Sequence, residues 1–182
     1  MPLAAVPPAS PGPEPKIGPA VAAALKQAGI DLIAALPDAW LSDVIEVLDQ
    51  DPDVTLVRVA REDEGVGVCA GAFLGGRKAA LLGQNAGFLL SVNALAGLAL
   101  HHHIPILMLL AHRGGIEDNQ YFQVYKGRVT EPVLDALHIP HHRLAQRSDL
   151  VRIGQGARQA WLSRGPVALL LTGEFLGQGG RQ

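Results

Sequence analysis

The chain has 182 residues, 48% of them apolar and 18% charged, with 21 glycines and a formal net charge of −2, which supports one buried core and excludes a coiled coil, a fibrous repeat or a disordered chain. Without a run of Lys or Arg it lacks the footprint of non-specific nucleic-acid binding, while a local site for a small anion stays open. The single cysteine, Cys69, excludes an internal disulfide framework, the longest apolar run (Ile104 to Ala111) is too short to span a bilayer, and no signal-peptide pattern opens the chain, so a soluble cytoplasmic protein without a membrane partner is expected.

Seven of the 13 prolines fall within the first 19 residues. Residues 1–16 are therefore expected to be a Pro-rich disordered or extended lead-in, and residues 17–182 the domain. Apolar periodicity then predicts a helix over Pro19–Ala28 stopped by Gly29, and a strand over Ile30–Leu36 stopped by Pro37. Next come a helix over Ser42–Asp49, a strand over Thr55–Val59, a helix over Glu62–Leu74 and a strand over Ala79–Leu82. A helix from about Leu89 to Leu100 leads to the strand Ile104–Leu110. Gly114–Arg128 is polar and aperiodic and reads as a long loop. A helix over Glu131–Leu137, a short strand near His142–Leu144, a helix capped by Ser148 and running to Ser163, and a strand over Val167–Leu171 complete the pattern.

Strands apolar at nearly every position, separated by helices of crossover length, imply an α/β fold: an open, mostly parallel six-stranded sheet with helices on both faces. Such sheets bind ligands outside the carboxyl ends of their strands. That rule singles out Pro37-Asp38, Ala60 to Glu64, Gln84 to Gly87 and His112 onward.

Arg61-Glu62-Asp63-Glu64 opens a helix that carries Gly65, Gly67 and Gly71. Acids at a helix start are favoured by the macrodipole alone. Glycine in a helix costs roughly 1 kcal/mol relative to alanine, so something is expected to approach this helix closely. A dinucleotide-binding reading of the glycines fails on charge, because the pyrophosphate would face three carboxylates. A carboxylate pinned at a dry, tightly packed interface suits proton handling instead.

Other candidates each carry two readings. Asp38 is a substrate-side acid or a turn aspartate. His112 and Arg113 bind an acidic group of a substrate, such as a sulfonate or phosphonate, or form a solvated loop pair. The amides of Gln84 and Asn85 contact a ligand or satisfy local backbone. His101-His102-His103 reads as a polar helix end rather than a metal site, since consecutive side chains diverge, and Cys69 reads as packing.

Glu62-x-x-Gly65-x-x-x-Cys69-x-Gly71 resembles the signature of the pyrimidine-binding domain of thiamine diphosphate enzymes. With Leu36-Pro37-Asp38-Ala39-Trp40-Leu41, Arg61 to Gly76, Gln84-Asn85-Ala86-Gly87, Ser91-Val92-Asn93-Ala94-Leu95 and His112-Arg113-Gly114, the chain from Ile17 to Gly173 is similar to sulfopyruvate decarboxylase α subunits and the related phosphonopyruvate decarboxylases. The resemblance implies that Glu62 hydrogen-bonds the cofactor's aminopyrimidine and so activates its thiazolium carbon, with Glu64 as the competing register. It also implies that Gln84 and Asn85 lie near the cofactor and that Asp38, His112 and Arg113 lie near the substrate. The chain departs from the family pattern after the Gln-Asn pair, where Gly87-Phe88-Leu89-Leu90 replaces a run richer in glycine and amide.

The family's diphosphate-binding motif, Gly-Asp-Gly followed by a distal Asn, has no counterpart, for the chain contains no Gly-Asp pair. The resemblance therefore implies half an active site. A separate β subunit is expected to carry Gly-Asp-Gly and hold the diphosphate and Mg²⁺, in a hetero-oligomer with at least two copies of each subunit; no metal ligand is assigned to this chain. The leading function is decarboxylation of sulfopyruvate or a similar acidic 3-substituted pyruvate. The alternatives are a phosphonopyruvate decarboxylase subunit and a non-catalytic binding or assembly module.

Overall fold

The computed structural model of the chain describes residues 16–116 and 118–178. The Pro-rich segment 1–15 lies outside them. The elements in chain order are α1 (Gly18–Gln27), β1 (Leu32–Ala35), α2 (Ser42–Asp49), β2 (Thr55–Arg58), α3 (Glu62–Leu74), β3 (Ala79–Gln84) and α4 (Asn85–Leu90). They continue with α5 (Val92–Ala94), a π-helical turn (Leu95–Leu100), β4 (Ile106–Ala111), a 3₁₀ turn (Tyr121–Gln123), α6 (Val124–Ala136), β5 (His141–Leu144), a second 3₁₀ turn (Arg147–Leu150), α7 (Val151–Ser163) and β6 (Pro166–Leu171).

All six strands pair in parallel, in the order β2-β1-β3-β4-β6-β5. Alternation along each strand divides the core in two. Ile33, Ala35, Leu82, Leu107, Leu109 and Leu169 face α1, α2 and α7. Ala34, Leu81, Ile106, Met108, Leu110 and Leu170 face α3, α4 and α6. Burial on both faces is why β4 and β6 are apolar throughout and β3 is apolar up to its last residue, Gln84. The edge strand β2 is only half-buried, so its apolar run is not a two-faced core strand. The connection after β1 goes to one side and that after β2 crosses to the other, so the strand order reverses between β1 and β3. Asp38 follows the first of these strands and Gln84 ends the second.

Beyond shifts of one or two residues at element ends, three boundaries differ from the sequence expectation. The helix expected from Leu89 begins at Asn85, directly after β3, because Asn85 is drawn into the interior by bonds to the β4 end. The long loop expected over Gly114–Arg128 is already helical from Val124. Gly127 lets α6 lie against the β4 end: a Cβ there would come 2.7 Å from the Arg113 carbonyl oxygen. Pro132 falls inside α6, at an exposed position, without ending it. The turn before α7 is entered by Gln146 in extended conformation, and Asp149 rather than Ser148 accepts the free N–H groups of Ala145 and Gln146, at 2.9 and 3.1 Å. Among the described residues, no helix is long and apolar enough to cross a membrane.

Candidate active site

Glu62 is the first residue of α3, and Arg61 before it is extended, which turns the Glu62 side chain in toward the sheet. The residue is only 6% exposed, although its side chain is ionisable. Its floor is glycine. A Cβ at Gly83 would lie 3.0 Å from Glu62 Cγ, and one at Gly87 would overlap the carboxyl group itself. These two positions, at the end of β3 and in the first turn of α4, need glycine because the carboxyl occupies the volume of a side chain. Burial pushes the Glu62 carboxyl above its ordinary range, against the pull of the backbone N–H groups of Glu62 and Gln84, and the charges of Asp38 and Asp63 push the same way as burial.

Glu64, the competing register, is exposed and accepts the Ala60 N–H at 3.0 Å, closing the turn before α3. The helix glycines also separate. Gly65 packs on Leu81 and Ala34, whereas a Cβ at Gly67 or Gly71 would meet nothing within 4 Å among the described residues. Cys69 is buried, its thiol pushed up to about 12 by burial, which leaves it inert packing.

Asp38 and Gln84 meet across the reversal of the sheet. Asp38 accepts the Trp40 N–H at 2.9 Å through one oxygen and the Gln84 amide at 2.8 Å through the other. The Gln84 carbonyl oxygen in turn accepts the amide of Gln123 at 3.2 Å. Gln123 is buried and its own side-chain oxygen has no partner. An unsatisfied buried acceptor beside Asp38 and Gln84 marks Gln123 as part of the site. The sequence reading missed it, since Gln123 lay in the segment taken for a loop.

Asn85 is wholly buried. Its amide donates to the Arg113 carbonyl and the Thr130 hydroxyl, both at 3.1 Å, and its oxygen accepts the Arg113 N–H at 3.3 Å. The Arg113 guanidinium bonds both oxygens of Asp118, at 2.7 and 3.0 Å, and lies 4.2 Å above the Trp40 ring. Asp118 also accepts the N–H groups of Gly114 and Gln120, at 3.0 Å each. Burial disfavours the charged form of Asp118, but the Arg113 bond and these two N–H groups outweigh it and hold the carboxyl below its usual range. Asn85 and Arg113 are thus engaged within the chain, and they fix the turn that follows β4.

His112 leaves β4 on the opposite face from Arg113 and is buried. It lines a cleft of about 400 Å³ with Gly114, Gly127, Arg128, Arg143 and Thr172, over the carboxyl ends of β4, β5 and β6. His101, His102 and His103 form an exposed turn on the far side of β4, and among the described residues no three His, Cys, Asp or Glu side chains are grouped to hold a metal.

No family model matches the chain. It is 37% identical over 153 residues to the sulfopyruvate decarboxylase subunit alpha of Methanococcus maripaludis, spanning 84% of this chain and 92% of that protein. It is 46% identical over 121 residues to the subunit of the same name from Methanothermobacter thermautotrophicus, spanning 66% of this chain and 73% of that protein. The phosphonopyruvate decarboxylase of Streptomyces viridochromogenes is 29% identical over 143 residues, which span 78% of this chain and 36% of that protein. Among solved structures, a 2-oxoglutarate:ferredoxin oxidoreductase from Magnetococcus marinus shares the fold, with a TM-score of 0.70 at 19% identity over 89% of this chain and 29% of that one. On a parallel sheet with a buried glutamate at its carboxyl edge, and with this degree of identity across nearly the whole of the Methanococcus subunit, the chain belongs to the family of sulfopyruvate decarboxylase α subunits.

Proposed function

We propose that this chain is the α subunit of a thiamine diphosphate-dependent 2-oxo acid decarboxylase that acts on sulfopyruvate or a similar acidic 3-substituted pyruvate. A separate β subunit completes the site with the diphosphate and Mg²⁺ ligands. The observation that carries this reading is the Glu62 carboxyl, buried on a floor of Gly83 and Gly87 with its pKa raised by burial. Burial disfavours the charged form of such a carboxyl, so it is suited to hold a proton and share it with a ring nitrogen, which fits the residue to an aminopyrimidine. When bound, the cofactor supplies an acidic carbon that adds to a 2-oxo group and an electron sink for the loss of carbon dioxide.

The chain's own groups take the remaining roles. Glu62 holds and moves the proton at the pyrimidine nitrogen. Gln84, oriented by Asp38 and Gln123, presents a fixed amide beside it. Asp38 and His112 face the substrate from the two sides of the sheet edge. Asn85 and Arg113 act one step back, locking the turn after β4 through each other and through Asp118.

Support for the partner lies on the surface. Gly67 and Gly71 leave the outer side of α3 open to close approach, and Leu74 at its end is exposed. Tyr121, Phe122 and Tyr125 are exposed next to buried Gln123. Apolar surface of this kind bordering a site is what a partner subunit covers. Relatives named "subunit alpha" point the same way. The phosphonopyruvate reading is kept second because the relatives of that name match at lower identity.

The test is reconstitution. Co-expressed with a subunit that carries Gly-Asp-Gly and the distal Asn, the chain should release carbon dioxide from sulfopyruvate in the presence of thiamine diphosphate and Mg²⁺, while the chain alone is folded and inactive. Appreciable turnover by the chain alone, verified free of a partner, rules out the divided site.

A further inference from the structure

The cleft beside His112 has a charge arrangement that separates three nearby arginines. Arg113 lies outside its lining and is bonded to Asp118 through both arms. Arg143 lines it, but is bonded bidentately to Glu131, at 2.9 and 2.6 Å. Arg128 lines it and, among the described residues, has no carboxylate partner; its guanidinium rests 5.6 Å from the centre of the Tyr125 ring. Glu174, a carboxylate of the same lining, is exposed to solvent, as is Arg128. Among the described residues, Arg128 is therefore the arginine of this lining that no carboxylate bonds.

Backbone geometry places Arg128 there. Gly114, at φ +90°, and Gly127 are in backbone contact, and a Cβ at Gly127 would meet both Arg113 and Gly114. That contact brings the first turns of α6 against the end of β4, so Arg128, the next residue, borders the cleft that His112 lines. A cleft of about 400 Å³ suits a small molecule. Its position at the carboxyl ends of β4, β5 and β6 is where parallel sheets receive ligands. A guanidinium presents paired N–H donors that match two oxygens of a tetrahedral oxyanion.

We propose that this cleft receives the second acidic group of the substrate, a sulfonate or phosphonate on C3, and that Arg128, rather than Arg113, is the specificity-determining cation. The inference rests on the reading of the chain as a 2-oxo acid decarboxylase subunit. It adds the residue that distinguishes an acidic 3-substituted pyruvate from pyruvate itself.

Two measurements test it. In the assembled enzyme, Arg128→Gln should raise KM for sulfopyruvate and phosphonopyruvate about 10- to 100-fold more than KM for pyruvate, the loss of a charge-assisted hydrogen bond, and Arg128→Lys should recover part of the difference. An equal change for all three substrates overturns the assignment. The second measurement needs no turnover: calorimetric titration of the full chain with 3-sulfopropanoate, which has both acidic groups and no 2-oxo group. Binding weakened about tenfold or more by Arg128→Gln supports the site. Equal binding by both proteins, or none by the parent, overturns it. Failure of the parent complex to decarboxylate any 2-oxo acid counts against the proposed function, whereas a working parent with an indifferent Arg128 counts against this inference alone.

Discussion

Gly87 has no side chain because the Glu62 carboxyl fills the place where its Cβ would be. The two residues come from different crossovers, and their contact sets how far the carboxyl sits from the sheet edge. Gly87→Ala should therefore displace Glu62 with little change in helix α4, where alanine is the better helix former by roughly 1 kcal/mol. The expected outcome is a folded chain that still assembles but has lost at least tenfold in kcat, with KM much less affected. Steady-state kinetics beside a thermal melt read both; normal kcat in Gly87→Ala would show that the carboxyl position is not critical.

The Arg113–Asp118 pair predicts a stability effect. The two side chains are only 11% and 1% exposed. Removing one partner from a buried pair leaves the other charge without compensation, at a cost of about 3 kcal/mol or more. Asp118→Asn and Arg113→Ala should each lower the melting temperature markedly, and the double variant should lose less than the sum. A double-mutant cycle by denaturant unfolding gives the coupling, and strict additivity would show that the pair contributes nothing jointly.

Much of the fold could be read from the sequence because the two-faced strands β3, β4 and β6 are nearly pure apolar runs, and Glu62 is singled out by the resemblance of Glu62-x-x-Gly65-x-x-x-Cys69-x-Gly71 to a family signature. The Arg113–Asp118 pair could not. Arg113 next to a histidine at a strand end looks like an anion-binding pair, and nothing in the intervening glycines signals that Asp118 folds back onto it. The early start of α6 escaped for a related reason. Gly127 weakens the helical pattern locally, yet its lack of a side chain is what lets the helix pack on Gly114. Gln123 and Arg128 both lay in that misread segment, so two residues of the candidate site were hidden by one helix boundary.

Burial of Glu62 also predicts a pH dependence of stability. Its folded pKa lies above its unfolded value, so between the two the folded state binds more protons than the unfolded one. This group therefore costs stability as pH rises from the ordinary glutamate value toward the raised one, and the full cost persists above it. Glu62→Gln removes that cost. Its melting temperature should match the parent's at about pH 4, below the ordinary glutamate value, and exceed it by an amount that grows as pH rises through the raised value. A parent and variant that differ equally at every pH would mean that Glu62 titrates normally.

The same substitution addresses catalysis. Glutamine keeps the shape of Glu62 and the contact with Gly87 but cannot give or take a proton. In the assembled enzyme, Glu62→Gln should leave folding and subunit association intact while slowing both turnover and hydrogen exchange at the thiazolium C2 of bound cofactor by about 10²-fold or more, the low end of general acid–base contributions. Glu64→Gln should have a much smaller effect, because Glu64 is exposed and only closes the turn through the Ala60 N–H. Deuterium exchange at C2, quenched in acid and read by NMR in the parent and both variants, separates the cases. Slow exchange in Glu64→Gln alone would move the proton-handling role to the exposed acid, against its geometry. Normal exchange in both would mean that the buried carboxyl at the end of β3 is packing without chemistry, and the decarboxylase reading of this site would lose its central residue.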